Sequence, residues 1–255
     1  MDFTRVTNWL GRLLRLDNTA FDEIRSDPSG LVAGVAVVAV TNLIIGIGTY
    51  LYATFADLGE TGDLLLRAVI IGTVVQTVVW MAWPGVTYLL LTSVYRGTAN
   101  VQQLIATMGF AYVAAVITFL MLITFLDWPF AILGMVAAFV LSQYAIAAAS
   151  NAGSLQITMA NLAGFAAFAV IMAVVVELSA GDEPGDYAFA NGIWFLDSTS
   201  GEVADGIGSI SSAGGGEIPD AGDFESGDFD DVALDACLDL EEQGQVPEGS
   251  CEALE

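Results

Sequence analysis

The sequence predicts an all-α integral membrane protein: a five-transmembrane-helix bundle with N-terminal amphipathic helices and a mostly irregular acidic C-terminal tail. Three observations lead to this fold class. Of the 255 residues, 55% are apolar and only 14% charged, and the mean hydropathy is +0.67, whereas soluble domains usually carry about a quarter charged residues. Five long apolar stretches have no charged residue in their middle. Residues 178–255 hold twenty acids and no base.

The apolar stretches define the membrane domain. They run over residues 31–56, 66–92, 104–126, 128–149 and 156–178. Each is longer than the ~20 residues that a helix needs to cross a ~30 Å hydrocarbon layer. The linkers are short, so consecutive helices are expected to be antiparallel neighbours in one bundle. The chain therefore divides into a cytoplasmic amphipathic segment (1–30), a membrane domain (31–178) and an acidic extracytoplasmic tail (179–255).

The first residues predict an amphipathic helix. At 100° per residue, one apolar stripe contains Phe3, Val6, Leu10, Leu13 and Leu14. The opposite side carries Arg5, Arg12 and Arg15, with Trp9 at the border. This pattern favours a helix lying on the membrane surface with its arginines near anionic lipid. The alternative is a helix packed on the protein's own spans.

The charge excludes several classes of function. The chain has thirty acids, six arginines, no lysine and no histidine, for a net charge of −24. A nucleic-acid binder needs a basic face, so none is expected here. Histidine is the commonest general base and metal ligand, and no catalytic, nucleotide or zinc motif is present. We expect no enzyme activity, no cofactor and no metal site.

The acidic tail and the absence of lysine resemble the proteins of salt-loving archaea. Dense carboxylates hold water and cations at high salt and mainly affect solubility. The acidic run 220–231 does not fit the EF-hand pattern. A solvated face is therefore the first interpretation, and weak cation binding is the alternative.

Arginine placement predicts the orientation. Most arginines precede the first stretch, and Arg96 follows the second. Loops rich in arginine stay on the cytoplasmic side. We therefore expect a multi-pass protein of the cell membrane with a cytoplasmic N-terminus and an extracellular C-terminus. Arg67, in the opposite loop region, is the exception.

The two cysteines, Cys237 and Cys251, lie in the predicted extracellular tail. An oxidising exterior allows a disulfide between them, which would stabilise a small hairpin by about 3 kcal/mol in the loop-entropy model. The alternative is two free thiols.

The notable polar residues of the stretches are four amides, and no ionisable residue lies in the middle of a stretch. The amides are Asn42, Gln76, Gln143 and Asn161. Ionisable residues at mid-bilayer would indicate an ion or proton path, whereas amides usually join helices by hydrogen bonds of about 0.6 kcal/mol. Pro84 predicts a helix kink in the second stretch, interpreted as a packing kink, with a binding site as the alternative.

Small-residue pairs indicate close helix contacts. The pairs are Gly30–Gly34, Gly134–Ala138 and Ala160–Gly164. Their spacing suits contacts within the bundle and contacts between two copies of the chain equally well.

The loop and start of the third stretch read YRGTANVQQLIATMGFAYVAAV, over residues 95–116. This segment resembles prokaryotic members of the Yip (Ypt-interacting protein) domain family. The matching positions are Arg96, Gly97, Gln103, Leu104, Gly109, Phe110 and Tyr112. Thr98 stands where the family pattern has a second glycine, and the resemblance covers about residues 10–178.

The Yip resemblance implies a non-enzymatic membrane adaptor that interacts through its cytoplasmic N-terminus and its membrane domain. It implies no catalytic residue, and the small-GTPase partners of eukaryotic members do not carry over.

We expect a membrane scaffold, adaptor or accessory subunit that contacts the lipid bilayer and another membrane protein or a second copy of itself. One alternative is a small transporter or channel for a neutral or apolar solute. The other is a surface ion-binding or attachment module formed by the acidic tail.

Overall fold

Five apolar helices form the body of the protein. The computed structural model describes residues 2–13, 15, 17–56, 63–123, 125–179 and 188–196. Of these residues, 84% are helical and none belongs to a strand. Among them, five helices are long and apolar enough to cross a membrane, which confirms the predicted multi-pass architecture. Spans 1 to 5 are Gly30–Phe55, Leu65–Val94, Val101–Leu122, Asp127–Ala149 and Ser154–Ser179.

Two shorter helices precede span 1. They are α1, Phe3–Leu13, and α2, Ala20–Ser26. Helix α2 ends at Ser26, and Asp27 after it is extended, because a residue before a proline disfavours the helical conformation. We call the end of the bundle that carries α1, α2 and the loops 95–100 and 150–153 the amino-terminal face.

Glycines bring the spans into backbone contact. A Cβ on Gly109 of span 3 would lie 2.6 Å from the Gly34 carbonyl oxygen of span 1. A Cβ on Gly164 of span 5 would lie 2.5 Å from the Trp83 carbonyl oxygen of span 2. Any larger residue would force these helices apart. Gly34 and Gly164, from two of the predicted small-residue pairs, thus make contacts within one chain.

Span 2 is not a uniform α-helix. Its ends, Leu65–Ile71 and Leu90–Val94, are π-helical, and the α-helical part is interrupted at Met81. The interruption lies three residues before Pro84, which has no N–H to donate to the carbonyl four residues earlier. The irregular region of span 2 is therefore next to the predicted kink residue.

Span 3 ends earlier than the sequence predicts. Its second half, Tyr112–Leu122, is an eleven-residue 3₁₀-helix. A 3₁₀-helix rises about 2.0 Å per residue against about 1.5 Å in an α-helix. Fewer residues are needed to cross the bundle, so the span ends at Leu122 and not at Leu126.

The outward sides of the spans are apolar. In spans 2, 4 and 5, exposed side chains include Val74, Val78, Val136, Val140, Val170 and Val174. Exposed valines at helical spacing suit a helix surface in contact with lipid.

Residues 188–196 lie inside the bundle. The apolar and aromatic run 186–197 suits the outer membrane surface or a cover over the outer face of the bundle. Its described part reaches further in, to the Asn42 carbonyl near the middle of span 1. Ala188, Ala190, Asn191 and Phe195 are fully buried. We call residues 188–196 the inserted segment.

Candidate functional site

Helix α1 packs on the bundle through one side. Val6, Trp9 and Leu13 are buried, and the Trp9 ring meets Phe110 of span 3 edge-on at 5.6 Å. The border position predicted for Trp9 is therefore wrong, because Phe110 extends the apolar environment to it. Phe3 is 75% exposed. The buried side of α1 therefore packs on the protein's own spans, which is the second of the two alternatives that the sequence left open.

Helices α1 and α2 form a helical hairpin, and the arginines of α1 pair with acids of this hairpin. Arg12 donates to Asp17 at 2.8 Å, to Glu23 at 2.6 Å and to the Thr19 hydroxyl at 2.8 Å. Trp9 Nε1 also donates to Glu23, at 3.1 Å. This network ties α1 to α2. Of the three arginines predicted to face lipid, Arg12 is thus paired within the protein, while Arg15 is exposed.

A second ion pair closes the hairpin at its other end. Arg5 lies 2.6 Å from Asp27, whose side chain is 10% exposed. Hydrogen bonds from the Ser29 hydroxyl and backbone, and then from Arg5, lower the pKa of Asp27. Bonds from Thr19 and Arg12 lower the pKa of Asp17 to about 2. Both carboxyls therefore stay charged to a lower pH than a free aspartate does.

The amino-terminal face joins distant parts of the chain. Arg25 of α2 donates to the Ala148 carbonyl at the end of span 4. The Thr98 backbone N–H donates to the Asn151 side chain at 2.7 Å. A cavity of about 420 Å³ lies between these segments, with polar lining residues that include Asn100 and Gln103.

The residues that match the Yip pattern run from this face down span 3. Gln103 lines the cavity, Leu104 is fully buried, and Gly109 contacts span 1. Phe110 contacts α1, as described above. Tyr112 is buried and hydrogen-bonded to two other spans. In the structure, these residues mainly pack span 3 against its neighbours.

Arg96 and Gly97 end span 2. Arg96 has φ +55°, and Gly97 donates its N–H to the Leu91 carbonyl at 2.8 Å. The left-handed conformation favours glycine and costs other residues about 1–2 kcal/mol. The Arg96 side chain is exposed on the amino-terminal face.

One buried polar cluster joins spans 2, 4 and 5. Trp83 Nε1 donates to Asn161 Oδ1 at 2.7 Å, and Ser142 donates to the same oxygen at 3.1 Å. Asn161 Nδ2 donates to the Phe139 carbonyl at 3.2 Å. We call Trp83, Ser142 and Asn161 the Asn161 cluster. Its side chains satisfy one another.

A second buried cluster joins spans 1, 2 and 3. Tyr112 donates to Asn42 Oδ1 at 3.0 Å and accepts from Gln76 Nε2 at 3.3 Å. Asn42 Nδ2 donates to Thr77 at 3.2 Å. We call Asn42, Gln76, Thr77 and Tyr112 the Asn42 cluster.

The inserted segment contacts the Asn42 cluster. Asn191 Nδ2 donates to the Asn42 backbone carbonyl at 3.1 Å. The next residue, Gly192, has φ +62° and donates its N–H to the Thr49 hydroxyl at 2.8 Å. A side chain at position 192 would meet Ile45 and Thr118 at 2.9 Å, so only glycine fits this turn.

Four buried side-chain atoms in the described part of the chain have no hydrogen-bond partner. They are Thr73 Oγ1, Gln76 Oε1, Asn191 Oδ1 and Trp194 Nε1. All four belong to span 2 or to the inserted segment, where Gly72 lies against Ala190. Unpaired polar atoms are costly away from water. Two of the four belong to Gln76 and Asn191, which are bonded within or to the Asn42 cluster, whereas the Trp194 ring lies against Phe168 of span 5. The Asn42 cluster thus differs from the Asn161 cluster, whose side chains pair with one another.

Several predicted sites remain predictions. Cys237, Cys251 and the acidic run 220–231 lie outside the described residues. Conversely, the sequence gives little indication of the role of Asn191. The one available signal is the Asn191-Gly192 pair, which is typical of a turn, between apolar and aromatic residues.

No family model, no curated protein and no solved structure matches this chain. The function must therefore be argued from the residues themselves.

Proposed function

We propose that the protein is a non-enzymatic membrane scaffold, adaptor or accessory subunit that holds a partner on its amino-terminal face. The observation that carries this proposal is the way α1 is fixed. Its inner side is buried on span 3, and its arginines are bonded to acids of the hairpin. The outer side is thereby presented in a defined position.

The outer side of α1 suits a protein partner. Its exposed residues are Phe3, Thr4, Arg5, Thr7, Asn8 and Gly11. Arg5 is the one charged residue among them and is paired with Asp27, and Phe3 provides a large apolar contact. A pre-organised helix face binds with a small entropic cost, and exposed aromatic residues are frequent anchors of interfaces.

The proposal includes the Yip-like relationship and the orientation predicted from the sequence. The amino-terminal face gathers Arg5, Arg12, Arg25 and Arg96, which favours placing it in the cytoplasm. An impermeant thiol reagent should then label Asn8→Cys in a Cys237→Ser/Cys251→Ser chain only after the cells are permeabilised. Labelling of intact cells would invert the orientation.

The scaffold role is tested on the full chain, extracted at high salt in mild detergent, by weighing the intact complex. A second protein or a second copy should accompany the wild type in fixed stoichiometry. Phe3→Asp should release it. Phe125→Asp is the matched control, since Phe125 is 80% exposed on the opposite side of the bundle, and it should retain the complex. A lone chain, or a complex that survives Phe3→Asp, would contradict the proposal.

A small transporter or channel for a neutral solute is the second candidate. It is favoured by the unpaired polar atoms at the Asn42 cluster. Solute flux into reconstituted vesicles that is lost in Gln76→Leu would support it. The ion-binding role of the acidic tail concerns residues outside the described part of the chain.

A further inference from the structure

The inserted segment enters the bundle and returns. The Phe189 N–H donates to the Ser179 hydroxyl at the end of span 5, at 2.9 Å. The Trp194 ring meets Phe168 edge-on at 5.8 Å. Phe168 precedes Ser179 by three helical turns, a distance of about 16 Å along the span. Phe195 and Leu196 then pack with Tyr52 near the end of span 1.

Such a segment is tolerated at membrane depth only when it is buried in protein. The surrounding spans bury the segment, and polar groups of span 1 form hydrogen bonds with it. Asn191 and Gly192 are held by the Asn42 carbonyl and by Thr49. The segment is therefore attached by a few hydrogen bonds at a site that also contains unsatisfied groups.

The unpaired atoms include both acceptors and donors. Gln76 Oε1 and Asn191 Oδ1 are acceptors, Trp194 Nε1 is a donor, and the Thr73 hydroxyl can do both. Gln76 and Asn191 are fully buried, and both are linked to Asn42. Asn191 bonds the Asn42 backbone carbonyl directly, and Gln76 bonds Tyr112, which in turn bonds the Asn42 side chain. All of these side chains are uncharged, which disfavours an ion.

We propose that the region between spans 1 and 2 and the inserted segment is a binding site for a small uncharged molecule that donates and accepts hydrogen bonds, and that the inserted segment closes it. Water and a small organic solute share this chemistry. The inference is independent of the scaffold role, since it concerns the inner side of span 2 and not the outer side of α1.

The test measures reagent access in the full-length chain, with Cys237→Ser and Cys251→Ser removing the native thiols. Thr73→Cys provides a probe of nearly unchanged size. Val74→Cys is the matched control, because Val74 adjoins Thr73 in the sequence and is 60% exposed on the apolar surface. A thiol in hydrocarbon stays protonated and does not react. A small uncharged methanethiosulfonate is the reagent.

The thiol of Thr73→Cys should react slowly when the inserted segment is intact. It should react at least about tenfold faster with Gly192→Val, whose side chain cannot fit beside Ile45 and Thr118. The thiol of Val74→Cys should stay unreactive in both backgrounds. Where Gly192→Val does not yield a folded protein, Asn191→Ala replaces it. An unreactive thiol in Thr73→Cys, or equal rates with and without the Gly192 change, would overturn the proposal.

The same assay separates the two sources of the ligand. With Gly192→Val, molar urea should slow the modification of Thr73→Cys if the site takes an organic solute. An unchanged rate for this variant, still well above that of Val74→Cys, indicates that the site takes water alone.

Discussion

The Asn161 and Asn42 clusters are both buried among apolar spans, but their hydrogen bonding differs. Asn161 uses both ends of its amide, on Trp83, Ser142 and the Phe139 carbonyl. Gln76 in the Asn42 cluster leaves its oxygen unpaired. Amides in membrane helices usually serve to join them, and the Asn161 cluster fits that role. At the Asn42 cluster, which the inserted segment contacts, the side-chain oxygens of Gln76 and Asn191 are still free to accept hydrogen bonds from a bound molecule.

The largest expected effect compares the packing of the spans beside the Asn161 cluster with the packing beside the inserted segment. Gly164→Ala places a methyl group against the Trp83 carbonyl and should lower the free energy of unfolding by about 3 kcal/mol. Gly46→Ala, next to Asn191, meets its nearest atom at 3.1 Å and should cost about 1 kcal/mol. Unfolding in mixed detergent micelles measures both.

Gly85→Ala is the control for these two variants, because nothing lies within 4 Å of its added methyl group. It should change stability by less than about 0.5 kcal/mol. A Gly46→Ala variant that is destabilised as much as Gly164→Ala would remove the difference in packing between the inserted segment and the Asn161 cluster.

The next effect compares the amides directly. Asn161→Leu leaves the buried Trp83 N–H without its acceptor and should cost about 2 kcal/mol. Gln76→Leu removes one 3.3 Å bond and an oxygen that is already unpaired, so it should cost less than about 0.5 kcal/mol. Thermal unfolding of the two variants in one detergent gives the ranking. Equal losses would mean that both amides serve only as structural joints.

The smallest expected effect is the pH dependence of the solvent-exposed ion pairs that join α1 to α2. Asp17 has an ordinary pKa of 3.8 that the hairpin lowers to about 2. A released hairpin therefore binds the proton more readily than a docked one. Docking should be complete above about pH 4 and weaken as the pH falls through 2. A spin label at Asn8→Cys should become mobile over that window.

Arg12→Gln is the control for this pH effect. It removes a bond that lowers the pKa of Asp17 and should move the transition to higher pH. A label with the same mobility from pH 5 to pH 2 would show that the ion pairs do not hold α1.

The number and approximate position of the spans could be predicted from the sequence, because hydrocarbon thickness and hydropathy set the length of apolar helix that is needed. The 3₁₀ geometry that shortens span 3 could not. The burial of Trp9 could not, since helical periodicity places it at a border and only Phe110, far along the chain, makes its surroundings apolar. The inserted segment depends on the Asn42 carbonyl and on Thr49, well over a hundred residues earlier. Its apolar and aromatic composition suits a membrane surface equally well.

The contrast between the two clusters depends most on the position of the inserted segment, and a cysteine pair tests that position directly. In a Cys237→Ser/Cys251→Ser chain kept in its native membrane, Gly72→Cys and Ala190→Cys should form a disulfide, because a Cβ at Gly72 lies 3.3 Å from the Ala190 carbonyl carbon. Val74→Cys with Ala190→Cys is the control and should remain reduced, since Val74 faces outward. Cross-linking of the first pair alone is the predicted result. No cross-link in the first pair, or equal cross-linking in both, would contradict the account.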